Sequence, residues 1–118
     1  MTAPVIIDQQ ALENLRELNP GDNDAFVREI RDIFFQDTPQ RLAELEECLA
    51  SGDAVKFSRT AHSIKGSSTN LGAIGVRDVA EKLEAESKTK PVSSLVDLVE
   101  SLKMEYARAK AEILRLVP

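Results

Sequence analysis

The sequence predicts an all-α protein, four long amphipathic helices packed as an antiparallel bundle with a short extra helix at the N-terminus. Three observations carry this. Apolar residues recur at three- and four-residue spacing, and no stretch alternates in the manner of a strand. Glycine and proline fall where segments should end: Pro20-Gly21, Gly52, the stretch 72–75 and Pro91 cut the chain into five blocks. The connections between the blocks are short, which favours antiparallel neighbours.

The first block, residues 8–18, opens on Asp8 as N-cap and carries Ala11, Leu12, Leu15 and Leu18 before Asn19-Pro20 stops it. At about three turns it is too short to stand alone in water and is expected to lie over the end of the bundle. The second, residues 22–50, is capped by Asp22 and has Phe26, Ile30, Ile33 and Phe34 on one face, continued by Leu42, Leu45 and Leu49. Pro39 lies within it and should kink the helix, or split it with Asp37 or Thr38 as a new cap. Ser51-Gly52 reads as its C-terminal stop. The third block spans 53–70. The fourth, 74–88, turns Val76, Val79, Ala80 and Leu83 inward and ends in a Lys-rich turn before Pro91. The fifth, 92–116, has one stripe of Leu95, Val99, Leu102, Tyr106, Ala109, Ile113 and Leu116. No linker or repeat interrupts the 118 residues, so a single domain, 1–118, is expected.

Composition removes several classes of function. With 15 Lys and Arg against 20 Asp and Glu, the net charge of −5 disfavours nucleic acid as a partner. The one cysteine, Cys48, excludes an internal disulfide and a Cys-based zinc cluster, and one histidine excludes a multi-His metal site. No apolar run approaches the ~18 residues of a membrane span, and the N-terminus lacks the basic-then-apolar order of a signal peptide. No membrane association and a cytoplasmic protein are the expectation. Oligomeric state is open, because a four-helix core can be closed within one chain or shared between two; a monomer is expected.

The single histidine, His62, sits in the third block, DAVKFSRTAHSIKGSSTN. On an ideal helix Phe57, Ala61, Ile64, Ser68 and Leu71 cluster as the core face, with His62 about 140° away from the middle of that cluster. Its neighbours within about 60° are Val55, Ser58, Arg59, Lys65, Gly66 and Thr69. The imidazole should therefore face solvent.

A lone exposed histidine is usually incidental, but Gly66 argues otherwise. It lies one turn beyond His62 inside the helix, where glycine costs about 1 kcal/mol relative to alanine. A site where another protein's backbone must approach the imidazole would need it, because a side chain there would cover the ring. Lys65 can place an ammonium near an anion held by the imidazole. Lys56, Arg59 and Lys65 against Asp53 make the block locally basic in an acidic protein. That suits a phosphoryl group. Ser58, Ser63 and Ser67 have no carboxylate or oxyanion hole at a recognisable spacing, and no glycine pattern for ATP or a nicotinamide exists. What remains is nucleophilic: the imidazole accepts a phosphoryl group and hands it on.

Ala61-His62-Ser63-Ile64-Lys65-Gly66-Ser67-Ser68, followed by Asn70-Leu71-Gly72-Ala73, resembles the signature of histidine-containing phosphotransfer (HPt) domains, A-H-x-[LI]-K-G-[SA] with a trailing L-G. The helical layout on both sides fits as well. The resemblance implies an up-and-down four-helix bundle with an extra N-terminal helix and phosphorylation of His62 through Nε2. It implies that Lys65 stabilises the phosphoryl group and that Gly66 leaves room for a receiver domain. Ser67 either assists by hydrogen bonding or packs. Leu71 and Gly72 match a helix-ending core residue and a turn glycine. The family's polar residue on the following helix, which holds the imidazole Nδ1, falls by spacing on Glu84, whereas Glu81 reads as a solvent-facing charge.

Docking in the family combines the histidine helix with nearby residues of the first two helices. Val55, apolar yet about 20° from His62, is a docking candidate, with Ser58, Arg59 and Thr69 beside it. Phe34 and Phe35 are about 100° apart and cannot both face one way; phase leaves open which enters the core.

The reading is a phosphorelay carrier, not an enzyme, that takes a phosphoryl group from one receiver-domain aspartate and passes it to another. Its partners would be response-regulator receiver domains and a hybrid sensor kinase. It would hold no cofactor, and Mg²⁺ would belong to the receiver. Three alternatives remain: a receiver-binding bundle acting as a phosphatase, a non-phosphorylated scaffold, and the phosphorylated module of a larger kinase.

Overall fold

The structure, a computed structural model, describes residues 6–118. Residues 1–5, on which the signal-peptide expectation partly rests, lie outside the described residues. Five α-helices follow one another: α1 (Gln9–Leu18), α2 (Ala25–Ser51), α3 (Ala54–Leu71), α4 (Ile74–Glu86) and α5 (Val96–Leu116), with a 3₁₀ turn, Val92–Leu95, leading into α5. Apart from an isolated antiparallel bridge between Ile7 and Ala73, all the regular structure described is helical. Helices α2 to α5 form a closed ring of neighbours, with α2 against both α3 and α5, and α1 lies across α2 and α3. This is the expected antiparallel up-and-down four-helix bundle with an N-terminal accessory helix.

Local chemistry sets most of the helix ends. Asp8 caps α1 through the Gln10 N–H, and Asp53 caps α3 through the Lys56 N–H. The start of α2 differs from expectation. Asn23 and Asp24 both take left-handed backbone conformations (φ 58° and 64°), so the helix begins at Ala25 and not at 22. Asp22 still contributes, accepting the Phe26 N–H at 3.0 Å. Pro39 does not split α2, which runs unbroken past Asp37 and Thr38. A proline there leaves the carbonyl four residues back without its helical donor. That carbonyl, of Phe35, accepts a long hydrogen bond from the Tyr106 hydroxyl of α5 at 3.5 Å. Helix α4 ends at Glu86, two residues early, because residues 87–90 turn back on it through Ser87 N–H to Leu83 and Lys90 N–H to Glu86.

The core is built largely from the predicted stripes, but Leu18 of α1 is 66% exposed and Phe26, Ile30, Leu49, Val79 and Leu116 are only half-buried. On α3, Phe57, Ala61, Ile64, Ser68 and Leu71 are all buried, as are Val76, Ala80 and Leu83 on α4 and Val99, Leu102, Tyr106, Ala109 and Ile113 on α5. On α2, Ile33 is 54% exposed and Val27 takes a core place instead. Thr60 is buried as well. Phe34 enters the core against Tyr106, while Phe35 is half-buried with the Lys110 ammonium 5.3 Å from its ring centre.

The α3–α4 turn fixes how the site is assembled. Gly72 has φ +71°, its N–H bonds the Thr69 carbonyl, and the Ala73 N–H reaches back to Ser68 at 2.8 Å, a Schellman ending. The chain before α1 packs on this turn through Asp8 N–H to Gly72 at 2.7 Å, so closely that a Cβ on Gly72 would stand 2.5 Å from the Asp8 carbonyl. Both φ and space therefore require glycine. Gly72→Ala is expected to destabilise the protein by about 2 kcal/mol or more, read from the shift in a urea unfolding midpoint. An unchanged midpoint would contradict the close packing of the N-terminal segment on the turn.

Candidate functional site

The burial of α3 on one side leaves His62 on the other, with its side chain 65% exposed. The Ser68 hydroxyl, fully buried, is satisfied within the helix by the Ile64 and Lys65 carbonyls at 2.7 and 3.0 Å. The core face can therefore hold a serine without drawing the helix round. Packing of α4 beside α3 then brings Glu84 up to the imidazole, with Oε2 2.7 Å from His62 Nδ1. The other oxygen of the same carboxylate, Oε1, accepts from Lys65 Nζ at 2.8 Å. One side chain of α4 thus ties together two residues of α3.

The electrostatics decide which nitrogen carries the proton. The Lys65 hydrogen bond holds the Glu84 carboxyl below the usual carboxylate range; His62 acts in the same direction, and desolvation only partly opposes them. In return the Glu84 carboxylate raises the Lys65 ammonium above its ordinary value. An ionised carboxylate can only accept, so the short contact at Nδ1 requires an Nδ1–H donor. The neutral ring then has its lone pair on Nε2. That nitrogen is a nucleophile on an exposed ring.

Other residues singled out from the sequence fall in several places. Val55, 62% exposed, lines an open groove beside the imidazole together with Ser58, Arg59 and Glu84. Thr69 does not line this groove; its hydroxyl donates to the Lys65 carbonyl at 2.7 Å. Ser67 donates to the Ile64 carbonyl at 3.2 Å and lies towards Ile33 and Phe34 of α2, away from Glu84. Gly66 is exposed, and a Cβ built on it meets no atom within 4 Å.

Two features were not foreseen. Lys65 is held by Glu84 instead of projecting freely, and Ser87 and Lys88 at the end of α4 complete the groove. Lys88 had a sequence signal in the Lys-rich turn; the Lys65–Glu84 contact had none, because it depends on how two helices are rotated against each other. The local basic balance is also altered, since Lys56 lies 3.7 Å from Glu47 and Lys65 pairs with Glu84. Among the described residues Arg59 makes no ion pair. No three His, Cys, Asp or Glu side chains among the described residues form a metal-binding cluster, and no helix is long and apolar enough to cross a membrane.

Comparison with known proteins agrees with the fold. The family model described as the Hpt domain matches residues 29–112. Multistep phosphorelay regulator 1 of Schizosaccharomyces pombe is 30% identical over 79 residues, 67% of this chain; the match spans 27% of that longer protein. Histidine-containing phosphotransfer protein 2 of Arabidopsis thaliana is 26% identical over 110 residues, covering 91% of this chain and 70% of that protein. Among solved structures, histidine-containing phosphotransfer protein B from Pseudomonas aeruginosa PAO1 superposes with a TM-score of 0.81 at 29% identity, over 97% of this chain and 95% of that one. A four-helix bundle with one exposed, carboxylate-held histidine, matched by the family model along most of its length, belongs to the Hpt domain family.

Proposed function

We propose that His62 is the phosphoryl-carrying residue of this Hpt domain, taking the group from a receiver-domain phosphoaspartate and passing it to the aspartate of another receiver. Hpt domains act with receiver domains and histidine kinases in phosphorelays. The observation that carries the assignment to His62 is the 2.7 Å contact of Nδ1 with an ionised carboxylate, which leaves Nε2 with a free lone pair. In the forward step that lone pair attacks phosphorus, the N–P bond forms, and the P–O bond to the aspartyl carboxylate breaks with its electron pair leaving on oxygen. Positive charge develops on the ring as the bond forms. Glu84 is placed to offset it through the Nδ1–H.

The surroundings suit the transferred group. Phosphoryl transfer passes through a loose transition state with negative charge spread over three oxygens, so catalysis is mostly positioning and cations. Arg59 and Lys88 line the groove beside His62, and Lys65 lies within the same cluster. Lys65 reaches the phosphoryl group by giving up Glu84. Val55, Ser58, Arg59 and Thr69 on the exposed side of α3 are assigned to receiver docking, and Gly66 to close backbone approach. Mg²⁺ is assigned to the receiver. Each transfer occupies His62 until the next receiver removes the group, which makes the chain a carrier and not an enzyme; the hybrid sensor kinase is its proposed upstream source.

The test is to mix the protein with a phosphorylated receiver domain and Mg²⁺ and to follow the label. The expected result is phosphate on the bundle that is labile in acid and stable in base, returned to unphosphorylated receiver on addition. Receiver dephosphorylation with no labelled bundle at any time would overturn the carrier reading in favour of a phosphatase.

A further inference from the structure

We propose that the outward face of α5, on the far side of the bundle from His62, is a docking surface for an acidic amphipathic helix of another protein. The inference is independent of the carrier reading of His62.

Helix α5 has a second apolar stripe besides the one it buries. Met104, Ala107, Ala111 and Leu114 follow one another at three- and four-residue spacing. Their line runs about 140° from that of the buried Leu102, Tyr106, Ala109 and Ile113. Met104 is 67% exposed, Leu114 45%, and both alanines are exposed. An exposed apolar residue standing alone needs no explanation, but a continuous line of them over about three turns is the pattern of a contact surface. The two alanines form a shallow waist between the larger side chains, where the backbone of a second helix can come close.

Charge selects the occupant. Lys103 and Lys110 border the stripe on one side and Arg108 and Arg115 on the other, each within about 80° of its middle. Lys110 makes no ion pair among the described residues and stands 5.3 Å from the Phe35 ring centre. Arg108 and Arg115 pair with Glu105 and Glu112 of their own helix, but the cation is the outer member of each pair: 50% exposed against 28%, and 65% against 24%. Exposed pairs of this kind are worth little and exchange readily for another carboxylate. A partner helix with apolar residues at the same spacing and Asp or Glu along both margins would meet apolar surface at its centre and cations at its edges.

The same features disfavour other occupants. A second copy of α5 would bring cationic margins against cationic margins in either orientation. A lipid surface calls for a broad apolar face with bulky or aromatic anchors; this stripe is narrow, half alanine, and belongs to a chain of net charge −5. The ring order of the bundle sets α5 against α2 and α4 and across from α3, so the stripe and the imidazole face opposite ways.

The probe is a synthetic peptide of about three heptads with Leu at a and d and Glu at e and g, a composition that repels its own copies. Fluorescence anisotropy of the labelled peptide should show saturable binding to the full chain. Met104→Glu, which sets a carboxylate in the apolar contact, should raise Kd at least about tenfold. Ala107→Glu repeats the test at a second exposed position should Met104→Glu fold poorly. Lys110→Glu should raise Kd about fivefold, and a peptide with Lys in place of Glu should bind at least about tenfold more weakly than the acidic one. In ¹⁵N-labelled protein the amide signals that move should be those of residues 103–115, with His62 unmoved.

Absence of saturable binding, equal binding of the basic peptide, or an unchanged Kd in Met104→Glu would overturn the proposal. Shifts centred on His62 would overturn it as well, by placing the peptide on α3. Sedimentation showing a dimer that Met104→Glu dissolves would give the face to a second copy instead. Binding to phosphatidylserine–phosphatidylcholine vesicles without binding of the acidic peptide would give it to a membrane surface.

Discussion

His62→Gln is expected to accept no phosphoryl group at all from a phosphorylated receiver, while its thermal stability stays within about 0.5 kcal/mol of wild type. Glutamine approximates the size of the imidazole but has no nucleophilic nitrogen, because the amide lone pair is delocalised into its carbonyl. The chain has no second histidine to substitute. The side chain is 65% exposed and outside the core cluster, so its removal opens no cavity. Its hydrogen bond to Glu84 is lost, but Lys65 remains to pair the carboxylate. The measurement is transfer of label to the bundle, with a melting curve on the same sample. Label retained on the variant would sink the assignment of His62.

Gly66→Leu should move stability and transfer in opposite directions. No positive φ holds this glycine, and a Cβ at the position meets nothing in the chain within 4 Å. Leucine is the better helix former, so the variant should gain about 0.5–1 kcal/mol and melt about 3 °C higher. The added side chain would project beside the imidazole, where a receiver must bring its aspartate within bonding distance. A displacement of about 1 Å in such a reaction costs about a hundredfold in rate, and leucine is larger than that. Transfer measured by stopped-time labelling should therefore drop by at least about a hundredfold, with Gly66→Ala intermediate. Unimpaired transfer in Gly66→Leu would remove the reason offered for a glycine that the fold itself does not use.

These two residues were legible in the sequence because both depend on a single helix. The period of α3 puts Phe57, Ala61, Ile64, Ser68 and Leu71 on one side, and the same period places His62 and Gly66 opposite, with no knowledge of the neighbouring helices. Asp8 and Asp53 were readable for the same reason, since a cap reaches only two or three residues along its own chain. Helix α2 was less legible. Its apolar residues are spread widely around a 27-residue helix, and which of them are covered depends on α1, α3 and α5 packed against it. Ile33 is left out and Val27 taken in on that basis. The left-handed Asn23 and Asp24 likewise follow from the path the chain must take from α1 into the bundle, which residue preference alone does not specify.

Sequence by itself determined the helical bundle, the exposed imidazole, the glycine beside it and, through a family likeness, the position of Glu84 as the partner of Nδ1. Only the tertiary structure decided that Lys65 shares that carboxylate, with Nζ to Oε1 at 2.8 Å and Nδ1 to Oε2 at 2.7 Å. The reason is physical. Helical period fixes the direction of a side chain about its own axis, but a bond between residues 65 and 84 requires the rotation and offset of two helices. Those are set by the Gly72 turn and by what the core will accommodate.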